Sequence, residues 1–70
     1  MKVQIEKTVK DLDLLIIINK AIEMALNSEN LEDCISLFKS NINSNFIEYG
    51  KGSNHVWLSI KDKRILLITE

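Results

Sequence analysis

The sequence predicts a single α+β domain over residues 1–70, with two helices packed on one face of a four-stranded, mainly antiparallel sheet. Two observations carry this prediction. The middle of the chain places apolar residues at helical spacing, whereas the segments on either side alternate between apolar and polar residues with the period of a strand. Seventy residues correspond to one domain, and the predicted element order is β-α-α-β-β-β.

The first strand and the first helix follow from local pattern. Val3 and Ile5 alternate with polar residues, which indicates a short strand with one buried face. Thr8 and Asp11 are three residues apart, as are the two residues of a capping box. We therefore expect a helix over about residues 9–27. At 100° per residue, its predicted sheet-facing side comprises Leu14, Ile17, Ile18, Ala21, Ile22, Ala25 and Leu26.

A second helix is predicted after the polar break that follows residue 27. Asn30 is a good helix cap, and Asp33 is then the third helical residue. The helix is expected to end near Ser40, within the polar run 40–45. Its buried face is marked by apolar residues at positions i, i+3, i+4 and i+7, namely Leu31, Cys34, Ile35 and Phe38.

The remainder is predicted to form three strands. Residues 46–49 form a short strand, 50–54 a glycine-containing hairpin loop, and 55–61 an alternating strand. A tight turn at 62–63 leads to the last strand, residues 65–69, which carries four consecutive aliphatic residues. Such a run predicts burial on both faces, or cover by a partner on the second face. We expect the first strand to pair antiparallel with this last strand.

Composition excludes several classes of protein. Ile, Leu and Val make up 23 of the 70 residues, which is typical of a chain with a packed core. Cys34 is the only cysteine, so an intrachain disulfide is excluded, and one Cys with His55 does not supply a zinc ligand set. We therefore expect no metal and no cofactor. No catalytic triad or paired carboxylates are recognisable, which favours a non-enzymatic protein.

The sequence also bears on location and source. The apolar stretch 12–18 is interrupted by Asp13 and is far shorter than the roughly 20 residues that a membrane span needs. It lacks the flanks of a secretory signal, so we expect a cytoplasmic protein without membrane contact. Eight lysines against one arginine, with frequent Ile and Asn and no proline, suggest an AT-rich bacterial, phage or mobile-element genome.

Two surfaces are predicted to meet partners. On the alternating strand, one face is predicted to carry His55, Trp57, Ser59 and Lys61, with Tyr49 or Phe46 alongside on the preceding strand. Large aromatic side chains on an open face are typical of interaction hot spots. The second surface follows from the five aliphatic residues 14–18, which point in every direction around a helix. We therefore predict a homodimer interface at Leu12 and Ile16. The apolar run of the last strand also needs cover on its second face, which adds Leu66 and Ile68 to the predicted interface.

These observations predict a small protein-interaction domain, a homo-oligomeric regulator or inhibitor of a protein whose identity the sequence does not give. One alternative is a nucleic-acid-binding regulator that uses Trp57, Lys51, Lys61, Lys63 and Arg64. A net charge of −1 and a single arginine count against it. Another alternative is a small-ligand-binding module at a dimer interface.

Overall fold

The predicted architecture is confirmed in the computed structural model, which describes residues 1–43 and 45–70. The polar run expected to end the second helix includes Ser44, which lies outside the described residues. The four strands form one antiparallel sheet of order β1-β4-β3-β2, so the predicted pairing of the first and last strands is also confirmed. The elements are β1 (Lys2–Ile5), α1 (Leu12–Asn27), α2 (Leu31–Asn41), β2 (Ile47–Lys51), β3 (His55–Ile60) and β4 (Lys63–Thr69).

Helix α1 begins three residues later than predicted, because Asp11 and not Thr8 is its cap. The Asp11 carboxylate accepts hydrogen bonds from the backbone N–H groups of Asp13 at 2.9 Å and Leu14 at 3.1 Å. Aspartate caps a helix better than threonine, and its charge is also favourable beside the positive end of the helix dipole. Asp11 is therefore the residue at which the extended chain turns into the helix.

The cap of α2 is the predicted one. The side-chain oxygen of Asn30 accepts a hydrogen bond from the backbone N–H of Asp33 at 2.8 Å. Asp33 in turn accepts from the backbone N–H of Glu29 at 3.1 Å. Side chains three and four residues away thereby satisfy the N–H of Asp33 in the first turn and the N–H of Glu29, which precedes the cap.

The core lies between the helices and the inner face of the sheet. Helix α1 packs over β1 and beside α2, while α2 packs over β2 and β3. The deepest residues of α1 are the small Ala21 and Ala25, both fully buried, with Ile18 beside them. Leu26, expected on the sheet-facing side, is exposed instead, because the helix turns the narrow stripe of Ile18 and the two alanines toward the core.

A bulge in β4 explains its four consecutive aliphatic residues. Leu58 pairs with Leu66, but the next residue, Ser59, pairs with Arg64, so Ile65 is an extra residue on β4. The extra residue resets the alternation of the strand. Ile65 and Leu66 are consequently both buried in the core, although they are adjacent.

The prediction that Leu66 and Ile68 form an oligomer interface is corrected by the same register. Both side chains are fully buried, opposite Leu58 and Val56 on the inner face. The helices of the same chain already cover both side chains, so no partner is needed to bury them. Leu67 is the aliphatic residue that β4 directs to the outer face.

The β3–β4 hairpin turns at Lys61 and Asp62, one residue earlier than predicted. Both residues have positive φ, 51° and 64°, in the left-handed region. Two consecutive positive φ values are typical of a type I′ hairpin turn, which matches the twist of the strands but favours asparagine and glycine. Lys61 therefore belongs to the turn and not to the alternating face of β3.

We predict that Lys61→Gly stabilises the domain. Relief of about 1–2 kcal/mol of left-handed strain outweighs the about 0.5–1 kcal/mol that glycine costs through the unfolded chain, for a net gain of about 0.5–1 kcal/mol. Urea unfolding measures the gain. The control is Lys63→Gly, two residues on at an ordinary strand conformation, which should lower the free energy of unfolding. A loss of stability in both variants would contradict the argument.

Candidate functional site

The outer face of the sheet is the best candidate for a functional surface. Because strand residues alternate, His55, Trp57 and Ser59 point away from the helices, while the intervening residues of β3 are buried. Leu67 and Thr69 of β4 pair with Trp57 and His55 on the same face. The predicted alternation of β3 is thus confirmed, and both helices lie on the opposite side of the sheet.

Trp57 lies at the centre of this face and is held against Gly50. The two residues pair across β2 and β3. A Cβ atom added to Gly50 would lie 2.6 Å from Cζ2 and 2.8 Å from Cε2 of the Trp57 indole. Gly50 does not have a positive φ, so its role is to leave room for the ring. The indole therefore lies flat across the strand, and is half-buried without any helix above it.

His55 is positioned in a similar way by the second glycine. The loop closes through a backbone hydrogen bond of 2.8 Å from Gly52 N–H to the His55 carbonyl. A Cβ atom on Gly52 would lie 2.2 Å from Cε1 of the imidazole. Nδ1 of the ring lies 3.2 Å from Oδ1 of Asn54. Both glycines are therefore explained by an aromatic ring beside them, which leaves two ring side chains in fixed positions on one face.

Tyr49 does not belong to this surface. It pairs with Leu58, whose side chain is in the core, and so it points to the helix side of the sheet. There its ring contacts that of Phe38 in an edge-to-face arrangement, with the centroids 6.0 Å apart and an angle of 80° between the planes. The prediction that Tyr49 lies beside Trp57 is wrong, because the register of β2 against β3 sets Tyr49 opposite the inward-facing Leu58 and Gly50 opposite Trp57.

One ion pair lies at the margin of the outer face. The Arg64 guanidinium forms an ion pair with the Glu6 carboxylate, in which Nη2 donates to Oε2 at 3.0 Å. This hydrogen bonding raises the pKa of Arg64 above its ordinary value. Glu48 lies opposite Ser59 on β2. On the helix side, the Lys51 ammonium lies 3.0 Å from Oε1 of Glu32.

Cys34 and His55 are separated by the sheet and do not form a catalytic pair. Cys34 is fully buried on α2, and burial is the main cause that raises the pKa of its thiol. A raised pKa disfavours the thiolate, which is the nucleophilic form. In the described part of the chain, no group of three His, Cys, Asp or Glu residues is placed to hold a metal ion.

A shallow groove between the two helices is a lesser candidate. Its apolar floor is formed by Ile17, Met24, Leu37 and Ile42. Its polar residues, Lys20, Glu23, Asn27, Asn41 and Asn43, are all exposed. Small-molecule sites usually place a few converging polar groups in a concave apolar pocket, and this groove lacks that arrangement among the described residues.

Comparisons with protein-family models, with curated proteins and with solved structures give no significant match for this chain. Within the described residues, neither helix has both the length and the hydropathy needed to cross a bilayer.

We predict that Gly50→Ala destabilises the domain only while Trp57 is present. Alanine normally improves a strand, but here the new methyl group meets the indole, so we expect a loss of about 1–3 kcal/mol. In a Trp57→Ala background the same substitution should be neutral or stabilising by up to about 1 kcal/mol. A double-mutant cycle by chemical unfolding measures the difference. Equal losses in both backgrounds would show that another contact excludes alanine.

We predict that Cys34 does not react with a thiol reagent such as DTNB while the protein is folded. Its burial and raised pKa both oppose attack, so labelling should require unfolding. The matched control is Ser36→Cys, an exposed position on the same helix, which should label rapidly in the native state. Comparable labelling rates for the two thiols would contradict the buried position of Cys34.

Proposed function

We propose that the chain is a small, non-enzymatic protein-interaction domain that regulates or inhibits another protein by occupying one of its surfaces. The observation that carries the proposal is the outer sheet face, where Trp57, His55 and Leu67 lie together without helix cover. Tryptophan is enriched among the residues that dominate binding energy, because it brings a large rigid area and a polar N–H.

The arrangement of this face supports recognition of a folded protein. Its centre is apolar, formed by Trp57 and Leu67, and its margin is polar, with Ser59, Thr69 and the Glu6–Arg64 ion pair. An apolar centre with a polar rim is the usual anatomy of a protein interface. The glycine beside the indole fixes the ring before binding, which lowers the entropic cost of association.

The distribution of charge favours a protein over a nucleic acid. Nucleic-acid affinity depends on cations that are free to neutralise phosphates. Of the basic residues considered for that role, Arg64 is paired with Glu6, and Lys51 with Glu32 on the helix side of the sheet. Lys61 lies in the β3–β4 turn and Lys63 begins β4, so neither is beside Trp57.

The test is affinity capture from a lysate of the encoding organism. The binding affinity of the chain for the captured protein is then measured with both purified. We expect Trp57→Ala to weaken binding about 30-fold, as for the loss of a hot-spot residue worth about 2 kcal/mol. The matched control is Glu23→Ala, an exposed truncation on α1, which should bind as the wild type does. Circular dichroism verifies that both variants are folded. Unchanged affinity in Trp57→Ala would remove this face from the proposal.

A titration with labelled single-stranded DNA and RNA separates the two candidate functions. The protein-interaction proposal predicts no binding that depends on Trp57. Binding that weakens steeply with salt and is lost in Trp57→Ala would instead identify a nucleic-acid-binding regulator.

A further inference from the structure

Four lysines surround a shallow pocket at one end of the sheet. The pocket has a volume of about 330 Å³ and is lined by the β1–α1 connection, the start of α1 and the strand ends at the β3–β4 turn. We call it the basic pocket. Its lysines are all exposed, namely Lys7, Lys10, Lys61 and Lys63. With the carboxylate of Asp11, its lining residues carry a net charge of +3, in a chain whose net charge is −1.

The antiparallel pairing of β1 with β4 brings these lysines together. Ile5 at the end of β1 pairs with Leu66. Beyond that pair, the N–H of Glu6 donates to the carbonyl of Ile65 at 2.7 Å. The chain that follows β1 therefore runs beside the start of β4. As a result, lysines more than 50 residues apart in the sequence line the same pocket.

The four lysines have no carboxylate partner within the part of the chain that the structure describes. The ion pairs there are those of Lys51 with Glu32 and of Arg64 with Glu6, and none of these residues lines the pocket. Oδ1 of Asp11 is already engaged in the cap of α1, where it accepts two backbone N–H groups. Because like charges gathered in this way repel one another, an anion that enters the pocket relieves repulsion as well as forming new contacts.

The backbone at Lys61 is a second observation that points to a ligand. Its φ of 51° is a left-handed conformation, which glycine or asparagine would adopt at lower cost. Packing does not explain a lysine at this position, because the residue is exposed. Backbone strain of this kind is concentrated at ligand-binding and other functional sites. A ligand that needs the ammonium group accounts for the lysine.

The floor of the pocket distinguishes between classes of anion. It is buried or half-buried and apolar, formed by Val9, Leu14, Ile60 and Ile65. A small anion is normally held by converging polar groups in a concave site, whereas these lysines are exposed on flexible stems. A single-stranded nucleic acid stacks its bases on aromatic side chains, and none of the described residues that line the pocket is aromatic. An acidic peptide segment fits both parts, because carboxylates pair with the lysines while an apolar side chain covers the floor.

We propose that the basic pocket binds an acidic segment of a partner protein, in which carboxylates flank one large apolar side chain. The carboxylates pair with the lysines, and the apolar side chain contacts the floor. The floor belongs to the helix side of the sheet, since Ile60 and Ile65 are core residues. This contact is therefore separate from the outer sheet face and does not depend on the role proposed for Trp57.

An NMR titration of the isotopically labelled chain tests the site with a defined probe. The probe is a short peptide that carries glutamates on both sides of one leucine, and its control has glutamine in place of each glutamate. We expect saturable binding with a Kd of about 0.1–1 mM, the strength of a few exposed ion pairs around one apolar contact. Shifts should be confined to residues 7–14 and 60–65, and added salt should weaken binding. The glutamine peptide should not bind.

Substitutions separate binding from folding. Lys63→Gln should weaken binding about 2- to 5-fold, as for the loss of an exposed ion pair. Lys39→Gln, the same charge change on α2 outside the pocket, should leave binding unchanged. Lys61→Gly should weaken binding by a similar factor, although we expect it to stabilise the domain. Asp11→Asn keeps a good helix cap and removes a carboxylate from the lining, so it should strengthen binding about 2- to 5-fold.

Several outcomes would overturn the proposal. They are the absence of saturable binding, equal binding of the glutamine peptide, and equal losses in Lys63→Gln and Lys39→Gln. Shifts centred on the indole N–H of Trp57 would place the acidic segment on the outer sheet face instead. Tighter binding of inorganic pyrophosphate or single-stranded DNA at the pocket would show that the ligand is a small anion or a nucleic acid. Each of these results leaves the capture experiment with Trp57→Ala to be judged separately.

Discussion

The packing of two helices on one side of the sheet, centred on Phe38, Leu58 and Leu66, is the interaction on which the rest of the structure depends. A 70-residue domain has room for one such apolar layer, and local features direct side chains into it. The β4 bulge turns both Ile65 and Leu66 inward, and the two alanines of α1 are the residues turned deepest into the layer. Even the strained hairpin turn is maintained by the β3–β4 pairing on either side of it.

A two-layer domain has two surfaces away from its core, here the outer face of the sheet and the free side of α1, and they differ in composition. The outer sheet face carries ring side chains beside Gly50 and Gly52, with the Glu6–Arg64 ion pair at its margin. The free side of α1 carries the exposed aliphatic residues Leu12, Ile16 and Leu26. Of the two surfaces, the outer sheet face has the apolar centre and polar margin that are usual in a protein interface.

The sequence was sufficient for features set by local pattern and insufficient for those set by register. The presence of both helices, the Asn30 cap and the alternation of β3 depend on neighbours a few residues apart, so they were predicted correctly. The outward position of Leu26 depends on the rotation of α1, and the inward position of Tyr49 depends on the register of β2 against β3. The burial of Leu66 and Ile68 depends on the bulge in β4. Those are decided by contacts between distant segments. Both glycines had a local explanation as loop residues, but their ring contacts appear only when β2 and β3 are paired.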